Sequence, residues 1–153
     1  MVNKIKRKDF ILVGVQFILL TIFFTPFFKI SFQSIVFLKY PGAVISITGF
    51  LVILISVFQL NKNLTPFPTP IFNGNLIKTG LYKYIRHPIY SGIFLATIGL
   101  GFFNNSLWQI CIAVTLLILF YFKSSYEENL LNEKYEEYKK YKETTNRFFP
   151  FLD

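Results

Sequence analysis

The sequence predicts an all-α integral membrane bundle of about four transmembrane helices with a cytoplasmic amphipathic C-terminal helix. Three observations lead there. Hydrophobic residues make up 53% of the 153-residue chain and charged residues only 16%, far from the balance of a water-soluble domain. Four apolar stretches, near residues 10–28, 41–60, 88–103 and 106–122, approach the length of about 20 residues that a hydrocarbon core requires. The 16 Lys and Arg residues collect at the ends of these stretches in an alternating pattern.

That alternation sets the expected orientation. Four bases precede the first stretch (Lys4, Lys6, Arg7, Lys8), two follow it (Lys29, Lys39), and four lie between the second and third (Lys62, Lys78, Lys83, Arg86). The Asn104-Asn105-Ser106 turn has none, and six lie from Lys123 onward. By the positive-inside rule both termini and the 61–87 loop are cytoplasmic. The net charge of +8 thus reads as a topology signal and an attraction to anionic lipid, worth about 1 kcal/mol per well-placed base. Bases dispersed along membrane edges argue against nucleic acid as a partner, and no metal site is expected.

Taken in order, the first stretch is too long for a signal-peptide core and lacks a small-residue cleavage site, so it reads as a retained anchor. The second carries Gly42, Ser46 and Gly49 at helical spacing, and the third Gly92, Ala96 and Gly99. Small residues on one stripe let membrane helices approach closely, which predicts contact between these two; Gly92 could serve packing or function. The third and fourth stretches, joined by three residues, form an antiparallel hairpin. Phe23, Phe24, Phe27, Phe28, Phe102 and Phe103 cluster at segment ends and read as lipid-facing or interfacial. The sole cysteine, Cys111, reads as a small packing residue.

Between the second and third stretches, Pro66, Pro68 and Pro70 force an extended or turned course, and Phe72-Asn73-Gly74-Asn75 predicts a turn. Backbone groups there need partners from side chains, water or a ligand. From Lys123 the composition changes to seven acids against six bases. Leu130, Leu131, Tyr135, Tyr138 and Tyr141 keep rough helical spacing to about residue 143, which predicts an amphipathic helix along the membrane face. Asn146 to Phe151 ends it, its aromatics tucking back toward the interface.

Two constellations carry chemistry. Arg86-His87-Pro88 stands where a polar loop becomes an apolar helix, and His87 is the only histidine. Pro at the first helical position suits helix entry, and free N–H groups beside two basic side chains suit a carboxylate or phosphate. The plainer reading is a pair of interfacial anchors. Glu127 and Glu128 lie about one turn past the fourth stretch and point about 100° apart. Glu127 shares a stripe with Lys123, Leu131 and Tyr138, so it is expected to face the bundle and Glu128 to face solvent. The plainer reading of Lys123 and Glu127 is a surface i,i+4 pair.

Together, the run Arg86-His87-Pro88-Ile89-Tyr90-Ser91-Gly92 and the later Glu127-Glu128 pair resemble the isoprenylcysteine carboxyl methyltransferase family and its phospholipid methyltransferase relatives. Leu76 to Tyr82 looks like the family's lead-in and Arg147 to Phe151 like its ending, so the likeness covers about residues 61–153. The implied division is an N-terminal transmembrane helix pair, 1–60, and a methyltransferase-like catalytic region, 61–153. The resemblance implies S-adenosylmethionine bound at the cytoplasmic face, with a lipophilic or small amphiphilic methyl acceptor entering from the bilayer. It assigns Leu76, Ile77, Tyr82, His87, Pro88, Ile89, Tyr90 and Glu127 to the cofactor, and Arg86, Lys123 and Glu128 to catalysis. Lys123 stands where isoprenylcysteine-specific members carry arginine, and it cannot make the same bidentate grip on a carboxylate, so the acceptor stays open. Two rivals stand beside this reading: an NADPH-dependent membrane reductase of similar fold, and a non-catalytic membrane scaffold.

Overall fold

The computed structural model describes residues 5–25 and 36–150, and among these every regular element is helical apart from one isolated β-bridge. Five α-helices follow in order: α1 (Arg7–Phe24), α2 (Val36–Leu60), α3 (Pro88–Phe103), α4 (Leu107–Lys134) and α5 (Tyr138–Glu143). Two segments, Phe37–Asn63 and Leu107–Lys134, are long and apolar enough to cross a membrane. The outward face of α2 bears Phe37, Val44, Ile47, Phe50, Leu51 and Phe58, all more than half exposed. So broad an apolar face suits lipid rather than water.

Local sequence explains the boundaries. The helix α1 starts earlier than the apolar run, because Asp9 reaches back to accept the Lys6 N–H at 2.6 Å and so caps the first turn. It ends at Thr25, held extended (φ −89°, ψ 132°) ahead of Pro26. The helix α2 begins at Val36 instead of at Pro41, which lies inside it. A proline there removes one intrahelical hydrogen bond but need not end an otherwise apolar helix. At the hairpin, Asn105 takes φ 50° and the Ser106 side chain caps α4 by accepting from the Gln109 N–H.

The packing order is α2 on α3, α3 on α4, and α4 on α1. The expected small-residue contact is present: a Cβ built on Gly49 would lie 2.3 Å from the Ala96 nitrogen, and one on Gly99 2.4 Å from the Ser46 nitrogen. Backbone meets backbone along this seam. Phe23, by contrast, is not lipid-facing: it is 1% exposed and packs with Ile112, Leu116 and Phe120 between α1 and α4. Phe24 is 72% exposed, as expected, while Phe27 and Phe28 lie outside the described residues. Cys111 is exposed on the outer surface of α4 and is no packing residue.

The largest departure concerns the tail. In place of a separate amphipathic helix lying flat, α4 runs unbroken for 28 residues, about 42 Å, from the apolar hairpin through Lys123 to Lys134. No proline or glycine interrupts residues 107–134, so nothing at the change in composition breaks the helix. It stops at Tyr135 (φ −121°, ψ 114°), and α5 then doubles back toward the loop.

Candidate functional site: two joined cavities over a buried carboxylate

At the end of the bundle where α3 begins and α4 emerges, the loop between α2 and α3 is tied down from three sides. The Gln59 side chain at the end of α2 accepts the Leu81 N–H at 2.9 Å. Gly80 takes φ +63°, and any side chain there would strike Gln59. From α1, Asp9 accepts the Thr69 hydroxyl at 2.9 Å. From α4 and beyond, Tyr135 donates to the Gly74 carbonyl at 2.6 Å, Lys134 to the Ile71 carbonyl, and Tyr141 to the Tyr82 carbonyl at 2.5 Å. The predicted turn closes from Gly74 N–H to the Ile71 carbonyl. The loop's spare backbone groups therefore find side-chain partners.

A C-terminal strap completes the site. Asn146 pairs with Ile85 in a parallel bridge; the Arg86 N–H donates to the Asn146 carbonyl at 2.8 Å and the His87 N–H to the Arg147 carbonyl at 3.1 Å. The Ser91 hydroxyl donates to the Phe148 carbonyl at 2.5 Å. His87 is the N-cap residue of α3, and Pro88 occupies the first turn.

Beneath the strap lies Glu128, with a side chain only 2% exposed. Its oxygens stand 2.9 Å from Arg86 Nε, 3.2 Å from His87 Nε2, 2.8 Å from Lys142 Nζ and 3.5 Å from Arg147 Nη2. This overturns the expectation that Glu128 faces solvent. That expectation treated the helix as surface-lying with one buried stripe. In fact α4 is enclosed on both sides, by the cavities on one and by Arg86 and the strap on the other. Arg86 also donates to the Lys142 and Thr145 carbonyls, so its guanidinium is committed to holding the strap and Glu128 together.

Glu127 points elsewhere. It accepts the Tyr90 hydroxyl at 2.7 Å and stands 3.8 Å from His87 Nδ1, so the one histidine bridges the two carboxylates. The His87, Tyr90 and Phe120 rings form a stack, with centroids 5.4 Å and 4.8 Å apart and planes 8° from parallel in both pairs. Lys123, 1% exposed, donates to Gln16 Oε1 at 2.6 Å and to the Pro66 carbonyl at 3.0 Å, with its ammonium 5.2 Å from the Tyr90 ring centre.

Two cavities meet here. The outer one is walled by the loop and the end of α4, with Leu76, Ile77, Leu131, Tyr135 and Tyr138 among its lining. The inner one, about 300 Å³ and within the range of small-molecule sites, is lined by Gln16, His87, Ile89, Tyr90 and Lys123. Tyr82, Arg86 and Glu127 line both. Of the residues singled out from sequence, Glu128 and Pro88 line neither; Pro88 is buried at the start of α3. Gln16, Tyr138, Tyr141 and the strap were missed. A lone glutamine within an apolar run was a signal for Gln16, but the strap's role has no local signature.

The outer cavity, about 100 Å³, is walled in part by four tyrosines, Tyr82, Tyr135, Tyr138 and Tyr141. The Tyr138 side chain lines it, and its hydroxyl is buried with no hydrogen-bond partner among the described residues. Burial first, then a nearby carboxylate (Glu127 for Tyr82, Glu128 for Tyr138), pushes these two hydroxyls well above their ordinary value, and burial pushes Tyr141 up to about 12. All three therefore remain donors at neutral pH.

Fold and site together define a helical, membrane-type protein with a candidate site at one end of its bundle, walled by aromatic side chains around buried charged groups. The sequence model of the phospholipid methyltransferase family matches residues 38–138, and the chain belongs to that family. It is also 34% identical over 80 residues to the nickel-cobalt-cadmium resistance protein NccN of Alcaligenes xylosoxydans xylosoxydans. That match covers 50% of this chain and 37% of the relative's length. The family found is thus the broader kinship, phospholipid methyltransferase, and α1, which supplies Asp9 and Gln16, lies outside the matched residues.

Proposed function

We propose that the protein is a membrane-embedded, S-adenosylmethionine-dependent methyltransferase acting on a lipophilic or small amphiphilic acceptor, with α1 to α4 all crossing the bilayer. The observation that carries this reading is the junction at Glu127. There a tyrosine-walled outer cavity meets an inner cavity that adjoins an apolar groove. That groove, lined by Leu20, Phe24, Phe50, Ile93 and Leu100, shares Ile93 with the inner cavity and offers an acceptor's chain a route from the bilayer. S-adenosylmethionine, when bound, supplies a methyl group on a sulfonium.

This chain's residues do the positioning. Leu76, Ile77, Tyr82 and Tyr138 hold the nucleoside part, while His87, Ile89, Tyr90 and Glu127 receive the charged methionine part at the junction. Lys123, fixed by Gln16 and Pro66, meets the acceptor's head, and a proton leaving that head has the Glu127 carboxylate beside it. Arg86 and Glu128 act from behind, by holding His87 and the strap. In-line methyl transfer asks chiefly for alignment and exclusion of water, which these walls provide.

Calorimetric titration of the detergent-solubilised protein with S-adenosylhomocysteine and with NADPH tests the reading. Binding of the first and not the second is expected; the reverse would favour a reductase, and binding of neither a scaffold.

A further inference from the structure

On the far side of the cofactor loop lies a cleft that none of this chemistry uses. It is walled by Lys78 and Lys83 from the loop and by Lys140, Tyr141, Thr144 and Thr145 from α5 and its end, with Glu137 at its rim. Its volume of about 360 Å³ accommodates a phosphate group. Three ammonium groups face one carboxylate, so the cleft carries excess positive charge. Lys78 pairs with Glu137 at 2.5 Å, but both side chains are substantially exposed (42% and 58%), and such a pair is readily exchanged for a better one. Among the described residues, no carboxylate lies within ion-pair distance of Lys83 or Lys140. Lys83 stands beside Tyr84, its ammonium 5.9 Å from a ring that is 58% exposed. An exposed tyrosine beside a lysine, just before a membrane-type helix, marks the level of the head groups.

The cleft is also coupled to the cofactor site. Tyr141 lines both, donating to the Tyr82 carbonyl with its hydroxyl, and Lys78 follows directly on Leu76 and Ile77 of the outer cavity. An anion held between Lys83 and Lys140 would staple the loop to α5, the two segments that must stay together for the outer cavity to keep its shape.

We propose that this cleft is a phosphate-binding site, suited to the phosphodiester of an anionic lipid head group, and that its occupation tightens the cofactor cavity. The coupling rests on the methyltransferase reading; the anion site does not. The charge pattern favours phosphate over a cationic ligand, and two ammonium groups from separate segments give the staple its geometry.

The test uses the full chain in phosphatidylcholine nanodiscs, with and without phosphatidylglycerol, and separately with inorganic phosphate. Backbone hydrogen exchange over residues 78–83 and 138–145 and affinity for S-adenosylhomocysteine are both read. Phosphatidylglycerol is expected to slow exchange in both segments and to raise the affinity about fivefold or more. Both effects should be absent in Lys83→Gln/Lys140→Gln. Inorganic phosphate acting alike in neutral discs would identify a free phosphate as the source. If neither anion slows exchange, or if the double variant responds like the wild type, the proposal fails. Should S-adenosylhomocysteine not bind under any condition, the methyltransferase reading falls while the exchange data still decide the anion site.

Discussion

Glu127 and Glu128 are neighbours in sequence with the same chemistry, yet their surroundings assign them different work. With four basic groups around it and 2% exposure, Glu128 is the charge that lets Arg86, His87, Lys142 and Arg147 be brought together at all. Removing one partner from such a buried set is expected to cost about 3–5 kcal/mol. Glu128→Gln should therefore lower the thermal unfolding midpoint sharply. Glu127, 25% exposed and lining both cavities, contributes little to the fold. Glu127→Gln should melt close to the wild type but bind S-adenosylhomocysteine about tenfold or more weakly, the loss expected for one hydrogen bond to a charged group. A Glu128→Gln protein as stable as the wild type would mean that the hub does not hold the strap. Sequence located the pair and turned Glu127 toward the bundle, but it left Glu128 in solvent, because the groups that bury Glu128 come from Arg86, 42 residues before it, and Arg147, 19 after it.

Among the elements, the seam between α2 and α3 was readable in advance, since small residues at helical spacing have a direct steric meaning. It also yields a controlled test. Gly49→Ala places a methyl group against backbone atoms of α3 that cannot move aside, whereas Gly14→Ala on α1 meets nothing within 4 Å. Overpacking of this kind is expected to destabilise by about 1–3 kcal/mol at position 49. At position 14 the change should be neutral or slightly stabilising, because alanine is the better helix former. Thermal unfolding of the two variants in the same detergent decides it, and equal midpoints would mean that α2 and α3 can part without loss. The helix α1 was legible only as a span. Its face of Asp9, Val13, Gln16 and Phe23 is buried, but nothing along α1 tells that Gln16 meets Lys123, 107 residues away.

For the molecule as a whole, the basic residues still predict that all four long helices cross the bilayer with both ends of the chain on one side. With Cys111 replaced by alanine, single cysteines at positions 105 and 146 should label from opposite faces of the membrane. Labelling from the same face would require an even number of crossings between them and would overturn the reading of α4 as a span. The sequence by itself determined the class of fold, the hairpin, the α2–α3 seam and the position of the Arg86-His87-Pro88 and Glu127-Glu128 motifs. These rest on composition, turn chemistry and helical periodicity, which act over a few residues. Only the tertiary structure decided that α4 runs on into the charged tail without a break, that Phe23 is core, and that residues 145–148 close over the start of α3. It also decided which carboxylate is enclosed and which lines the cavities. Each of these depends on contacts between segments tens of residues apart, and a helix can satisfy its own periodicity equally well whichever of its faces the rest of the chain covers.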